Sequence, residues 1–357
     1  MPAATASSLS KSAPPMPVAV QALFSGPIDL VGDIHGEIEA LDTLIARLGY
    51  DRDGRHPRGR RLVFCGDLID RGQDSPATVE RVAGIVGAGY GQAVLGNHEL
   101  NLVLGKAKEG NGWAFEVDHD QAHGHFMAAA RLTSERRRHV IDWLASLPVV
   151  LERPDLRVVH ACWDPTAVDS LRGDTRPLRA IHQHHADRLN EVLRETGQLQ
   201  AREAEIAAWR DRLHDRAAVV PFLPAIAHVD SVRQTGHPLK VITSGIERPT
   251  GTPFFASGKW RMTERVAWWH EYDDEPAVVM GHYWRWPGDE SAAAARSRGP
   301  NLFENSSPES WLGPRQNVMC IDWCAGLRWR ERTEGIRAFT GRLGALRWPE
   351  REIVYDC

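Results

Sequence analysis

The chain has 357 residues, with 43 Lys and Arg against 47 Asp and Glu and a formal net charge of −4. That balance excludes a protein held to nucleic acid or to a membrane surface by bulk charge, and no apolar run approaches the ~18–20 residues that span a bilayer. Five cysteines, at 65, 162, 320, 324 and 357, are too few for a disulfide scaffold and match no zinc spacing, which points to a reducing cytoplasm.

Residues 1–20, rich in Ser, Ala and Pro, read as a disordered tail, followed by one domain over 21–357. The first strand is expected at Ile28–Val31. A helix follows over 37–48, with Ile38, Leu41, Leu44, Ile45 and Leu48 on one face. Leu62–Cys65 is a second strand, and Pro76 opens a helix whose apolar side is Val79, Val82, Ile85 and Val86. Ala93–Leu95 is a third strand, so the first hundred residues read as a parallel α/β unit. Val149–Leu151 and Val158–Val159 flank Glu-Arg-Pro-Asp as a hairpin. The polar stretch about 165–240, most clearly 175–217, reads as a helical insertion. Strands are expected again at Val241-Ile242, Ala277–Met280 and Val318–Ile321, with a last hairpin from Leu327 to Ile353–Tyr355.

The chemistry collects where the strands end. Gly32-Asp33-Ile34-His35-Gly36 follows the first strand, Gly66-Asp67-Leu68-Ile69-Asp70-Arg71-Gly72 the second, and Gly96-Asn97-His98-Glu99 the third. Asp33 and Asp67 are 34 residues apart, and Asp67 and Asn97 are 30 apart, each about one βαβ unit. The chain therefore returns to the same carboxyl edge of the sheet, where ligands of open α/β sheets bind. His160 and His282 also follow strands. Asp33 and His35, two apart in an extended segment, would point the same way. Carboxylate, amide oxygen and imidazole together suit Mn, Fe, Zn or Ni, with Mn²⁺ the leading choice for a pair of divalent ions. Asp67 could bridge the two ions. Hydroxide formed between them, from water whose pKa falls from about 15.7 toward ~7, would attack phosphorus. His98, with Asp70 beside it to raise its pKa, is the candidate general acid, and Arg71 a two-point phosphate clamp.

These three motifs, in order and in register, resemble those of calcineurin-like metallophosphoesterases, specifically the phosphoprotein-phosphatase branch. The resemblance implies a four-layered α/β fold, a central β-sandwich flanked by helices, here with a helical insertion. It implies Asp33, His35 and Asp67 on one metal, and Asp67, Asn97, His160 and His282 on the second. His98 takes the acid's place, Asp70 its partner's, and Arg71 a phosphate clamp's. Asn317–Cys324 is similar to the Ile-Asp-x-Gly pattern of bacterial members, including symmetrical diadenosine tetraphosphatases, whereas the Ser-Ala-Pro-Asn-Tyr segment of eukaryotic protein phosphatases is absent. The chain departs from the family at Ala161-Cys162-Trp163, where a small pair usually follows the histidine. The family's second phosphate-binding arginine has no motif match: Arg248, Arg261, Arg265 and Arg285 all remain open.

The expected function is therefore dinuclear metal-dependent hydrolysis of a phosphomonoester or a nucleotide anhydride, with symmetrical cleavage of diadenosine tetraphosphate the sharpest version. A serine/threonine protein phosphatase is the alternative; a non-catalytic module binding a phosphorylated partner is the reading from a different class. Thirteen tryptophans stand out. Trp163 and Trp284 are the candidates to stack a nucleobase, against core packing as the commoner use. Asp33, Asp67 and Asn97 could instead be helix N-caps, and His182, His184 and His185 are read as a solvated helix face rather than a second metal site.

Overall fold

The computed structural model describes residues 18–108, 110–115, 131–287, 301–303 and 306–357; most of the tail expected over 1–20 lies outside them. The first hundred residues alternate strand and helix: β1 (Val20–Ala22), β2 (Ile28–Val31), α1 (Ile38–Leu48), β3 (Arg61–Phe64), α2 (Ser75–Gly87), β4 (Gly91–Ala93) and α3 (Asn97–Val103). Helix α1 buries Leu41, Leu44, Ile45 and Leu48, the i, i+3, i+4, i+7 stripe of its sequence. Helix α2 starts where the Asp74 side chain accepts from the Ala77 amide, with proline in the first turn. Then come α4 (Ser134–Ala145), β5 (Val150–Arg153), β6 (Leu156–Val159), α5 (Pro165–Leu171), α6 (Leu178–Glu195), α7 (Gln198–Trp209), α8 (Pro224–Thr235) and α9 (Pro238–Ser244). The chain closes with β7 (Glu247–Ala256), β8 (Lys259–Arg265), β9 (Ala277–Met280), β10 (Val318–Cys320), α10 (Arg328–Thr333), β11 (Gly344–Trp348) and β12 (Glu352–Tyr355).

Ten of these strands form two five-stranded sheets, ordered β12-β11-β2-β3-β4 and β1-β5-β6-β9-β10. Side chains alternate across each strand, so each sheet has two faces to bury. Ile28, Leu30 and Val63 of one sheet meet Leu151, Val158, Val279 and Met319 of the other in a shared inner layer. Val31, Leu62 and Phe64 point outward and pack with Leu41, Leu44, Val79 and Val82 of the helices. The result is helix, sheet, sheet, helix, as the sequence implied. Truncating a side chain of the inner layer such as Leu30 would cost about 2–5 kcal/mol.

Four local expectations differ from the structure. The chain enters its sheets before Ile28, because β1 pairs with β5 in parallel. Val241-Ile242 lies in α9, not a strand: Pro238 starts the helix, and Leu239, Val241 and Ile242 are buried in the main core, so packing outweighs β-branched propensity. Leu327 ends a short 3₁₀ turn, and the closing hairpin is β11–β12, starting at Gly344. Finally, the insertion recruits the β7–β8 hairpin. Met262 and Trp260 of β8 pack with Ile226 and Ala227 of α8 in a small separate core.

Candidate metal centre

Every candidate ligand follows the carboxyl end of a strand: Asp33 and His35 after β2, Asp67 after β3, Asn97 after β4, His160 after β6 and His282 after β9. Because β2, β3 and β4 run parallel, as do β6, β9 and β10, these ends lie along one rim of the sandwich. The loops there are tight. His35, Asp67, Asp70, Arg71 and His282 all have φ between 48° and 71°, a region non-glycine residues rarely adopt. Asp33 and His35 therefore do not converge through an extended segment. The chain turns at His35, where the Ile34 and His35 amides both donate to the Asp67 carbonyl.

The side chains meet around Asp67, which is 2% exposed. Its Oδ2 lies 3.7 Å from His35 Nε2 and its Oδ1 3.3 Å from His160 Nε2. Asn97 Oδ1 lies 3.2 Å from His160 Nε2 and 2.8 Å from His282 Nδ1. Asp33 Oδ2 is 4.0 Å from His35 Nε2 and accepts the His282 amide at 3.1 Å. Two donor groups result, Asp67 with His160 and His282, and Asp67 with His35 and His98, and Asp67 belongs to both. A Cβ at Gly281 would stand 1.9 Å from Asp33 Oδ1, and one at Gly96 2.3 Å from Asp67 Oδ1, so both positions require glycine. None of Asp33, Asp67 and Asn97 is an N-cap: Glu37, Asp74 and Gly96 precede the helices.

The imidazoles are oriented from outside. His35 Nδ1 faces the Ile69 carbonyl at 3.1 Å and His160 Nδ1 the Cys65 carbonyl at 2.7 Å. Each Nδ1–H is thereby committed to the backbone, and each Nε2 lone pair points to the centre, as in histidines that bind metal. Burial, then the Arg71 guanidinium, holds His35 well below the ordinary histidine range. Burial, then Arg265, does the same to His282, whose Nε2 is buried without a partner. Asp33 is pushed well above the carboxylate range by burial and by the Asp322 and Asp67 carboxylates. Burial opposes ionisation of Asp67 too, but His160 and His98 beside it hold it well below that range. Asp67, in turn, raises His160 against the effect of burial. Imidazole nitrogens, an amide oxygen and crowded carboxylates make a donor set that fits two divalent cations.

Beside it lies a proton-transfer arrangement. His98 Nδ1 is 2.6 Å from Asp70 Oδ2. The other Asp70 oxygen accepts from Asn111 Nδ2 at 2.6 Å and Trp113 Nε1 at 3.1 Å. Burial lowers the pKa of His98, but Asp67 and the hydrogen bond that His98 donates to Asp70 outweigh it and leave it raised. Arg71 donates to His35 Nε2 at 2.7 Å and to His98 Nε2 at 3.3 Å, and its guanidinium lies 5.4 Å from the half-buried Trp284 ring. Trp163 is placed differently. It is 5% exposed with Arg157 over its ring at 4.2 Å, so the stacking face expected of it is already covered.

Several contributors escaped the sequence reading. Glu99, wholly buried, accepts the amides of Asp67, Leu68, Ile69 and Gly96, and so ties the loops after β3 and β4 together. Asp322 follows β10 at the same rim and is raised to about 6 by burial; its place after a buried strand was the available signal. Asn111 and Trp113 carry no motif. Among the four open arginines, Arg285 is buried and donates to the Ser307 carbonyl, and Arg248 pairs with Glu264. Arg265 lies nearest the centre of the four among the described residues: it is exposed, 5.7 Å from the Tyr283 ring, and its charge acts on His282.

The family model described as calcineurin-like phosphoesterase matches residues 26–216, more than half of the chain. The chain belongs to that family. This calcineurin-like phosphoesterase is 46% identical over 74 residues to an asymmetrical bis(5'-nucleosyl)-tetraphosphatase PrpE of Geobacillus sp. (strain WCH70), covering 20% of this chain and 30% of that one. It is 31% identical over 146 residues to a symmetrical bis(5'-nucleosyl)-tetraphosphatase of Marinomonas sp. (strain MWYL1), covering 38% and 45%. The chain thus spans less than half the length of these curated relatives. Among solved structures, a cold-active protein-tyrosine phosphatase of a psychrophilic Shewanella aligns over 94% of this chain and 82% of its own, at 14% identity and a TM-score of 0.44.

Proposed function

We propose that this phosphoesterase is a dinuclear metal-dependent hydrolase of phosphoester or phosphoanhydride bonds, with a nucleotide anhydride such as diadenosine tetraphosphate as substrate. The observation that carries this reading is Asp67, a buried carboxylate shared by two donor groups at one rim of the sandwich. Asp33, His35 and Asp67 would hold one ion, and Asp67, Asn97, His160 and His282 the other. When bound, a pair of dications lowers the pKa of an attacking water and offsets charge on the phosphoryl oxygens; Mn²⁺ is the first choice.

The chain's own groups do the rest. Arg71, as a planar two-point donor, and Arg265 would bind the phosphate. In the free protein Arg71 donates to His98 Nε2. A bound phosphate offers Arg71 better acceptors and leaves His98 Nε2 to carry a proton. Asp70, fixed by Asn111 and Trp113, keeps Nδ1 protonated and aims Nε2 at the leaving oxygen. The nucleotide class is supported by the relatives' names and by the half-buried Trp284 ring beside Arg71. The domain is taken as one unit over 21–357, its insertion enlarged by the β7–β8 hairpin, in the cytoplasm.

The test compares p-nitrophenyl phosphate, diadenosine tetraphosphate and a phosphopeptide under one Mn²⁺ condition. The reading expects metal-dependent turnover, fastest on the tetraphosphate. Two ADP would mark symmetrical cleavage, and ATP with AMP asymmetrical cleavage. Preference for the phosphopeptide would favour a protein phosphatase. Undiminished turnover after complete metal removal would defeat the mechanism.

A further inference from the structure

Strand β8 carries a pattern that the hydrolytic centre does not use. Trp260 and Met262 pack into the small core formed with α8. Alternation therefore places Lys259, Arg261, Thr263 and Arg265 together on the strand's other face. Three of these four are cations, spaced about 6–7 Å apart or in multiples of that step. Arg265, at the end of the row, has its guanidinium 5.7 Å from the ring of Tyr283, the neighbour of His282. The row thus begins at the metal centre and leads away from it along the hairpin.

The row has few internal partners. Among the described residues Lys259, Arg261 and Arg265 are in no ion pair, and Arg261 donates only through Nε to the Ala256 carbonyl. Two acids lie within electrostatic reach and partly offset the charge of Lys259 and Arg261. Asp230 of α8 pairs with Arg202 of α7 at 3.3 Å, and Glu247 of β7 accepts the Thr263 hydroxyl at 2.6 Å. Burial lowers the pKa of Lys259, and Arg261 beside it adds to that; burial also lowers Arg261. Half-buried like charges held side by side repel one another, and an anion lying along them would relieve that cost.

We propose that Lys259 and Arg261, in line with Arg265, form a subsite for the distal phosphates of a polyphosphate-bearing substrate. The proposal rests on the phosphoesterase reading above and adds to it the place where the substrate's further phosphates would be held. A single phosphate would engage Arg71 and Arg265 at the centre. Phosphates further along an anhydride chain would lie over Arg261 and then Lys259. Selectivity for polyphosphates over monophosphates would then arise on the hairpin, not at the metal ligands.

The test is equilibrium titration of the full chain in excess Mn²⁺ with two probes that resist hydrolysis. One is adenosine triphosphate with a methylene bridge between its β and γ phosphorus atoms; the other is methylphosphonate. Wild type should bind the triphosphate analogue at least about tenfold more tightly, and less so as salt is raised. In the double variant Lys259→Gln/Arg261→Gln, with circular dichroism as in wild type, that preference should shrink about tenfold or more. Wild type without the preference, or a folded double variant that keeps it, would overturn the proposal. Both affinities falling by one common factor would overturn it too, since the residues would then serve the centre or the fold. Binding is read apart from turnover, so a protein that shows this preference yet never hydrolyses p-nitrophenyl phosphate sinks the enzyme reading and leaves the subsite standing.

Discussion

Asp29 and Asp33 lie four residues apart on the same strand and the loop that leaves it, both buried, and the protein treats them in opposite ways. Around Asp29 the chain supplies its own counter-charge. Arg60 donates to both carboxylate oxygens at 2.7–3.1 Å, and the Tyr50 hydroxyl donates at 2.7 Å. Around Asp33 it supplies more negative charge: Asp322 and Asp67 are the neighbours that raise it, and no Lys or Arg among the described residues pairs with it. A buried carboxylate with a bidentate guanidinium is a structural element. One set against two other carboxylates suits cations supplied from outside the chain. Identical side chains in one sheet thus separate into architecture and chemistry by their partners alone.

Substitutions can sharpen that contrast. Asp67→Asn should have the largest effect, lowering turnover of p-nitrophenyl phosphate with Mn²⁺ by roughly 10³-fold or more while metal content falls, measured by steady-state kinetics and elemental analysis. A variant with wild-type turnover would remove Asp67 as the shared ligand. His98→Asn should lower kcat by about 10²–10⁴-fold with metal content preserved. Because His98 also stands within one of the two donor groups, lost metal in this variant would make it a ligand instead of an acid.

The contrast itself is broken or upheld by thermal melts in chelator. Asp29→Asn leaves the buried Arg60 with the partly exposed Glu350 as its remaining acid partner and should cost about 3 kcal/mol, with metal binding intact. Asp33→Asn should do the reverse, stabilising the metal-free protein at pH 7 and abolishing turnover. The sign follows from the raised pKa. A carboxyl that ionises less readily folded than unfolded costs stability above its unfolded pKa, and the gain from Asn should vanish below about pH 3.8, where both states are protonated. Equal destabilisation by the two substitutions at pH 7 would erase the distinction.

The smallest effect is a shift in pH dependence. In the proposed mechanism His98 acts as its protonated form, and its raised pKa extends that form upward, so kcat should fall as pH rises through that pKa. Asp70→Asn removes the hydrogen bond that helps raise it, and the alkaline limb should move to lower pH. A limb that does not move would separate Asp70 from the acid.

Much of this centre is legible in the sequence because each proposed ligand stands directly after a buried strand, and the period of a βαβ unit returns successive loops to one rim. Asp33, Asp67 and Asn97 follow from that spacing. Glu99 was written in the third motif, yet its four amide partners belong to loops that only the fold brings to it. Asn111 and Trp113 reach Asp70 across about 40 positions of chain, a contact with no periodic trace. Trp163 shows the opposite failure: its position beside His160 suggested exposure, whereas Arg157 on β6 covers the ring. In the fold, α9 was missed because a β-branched pair reads as a strand until its proline start and its buried face are known.

The central claim is that one carboxylate joins two cations. Titrating the metal-free protein with Mn²⁺, followed by electron paramagnetic resonance, tests it most directly. Two ions per chain with spin-coupled spectra are expected, reduced to an uncoupled remainder in Asp67→Asn. A single uncoupled ion in the wild type, or a coupled pair that survives Asp67→Asn, would contradict it.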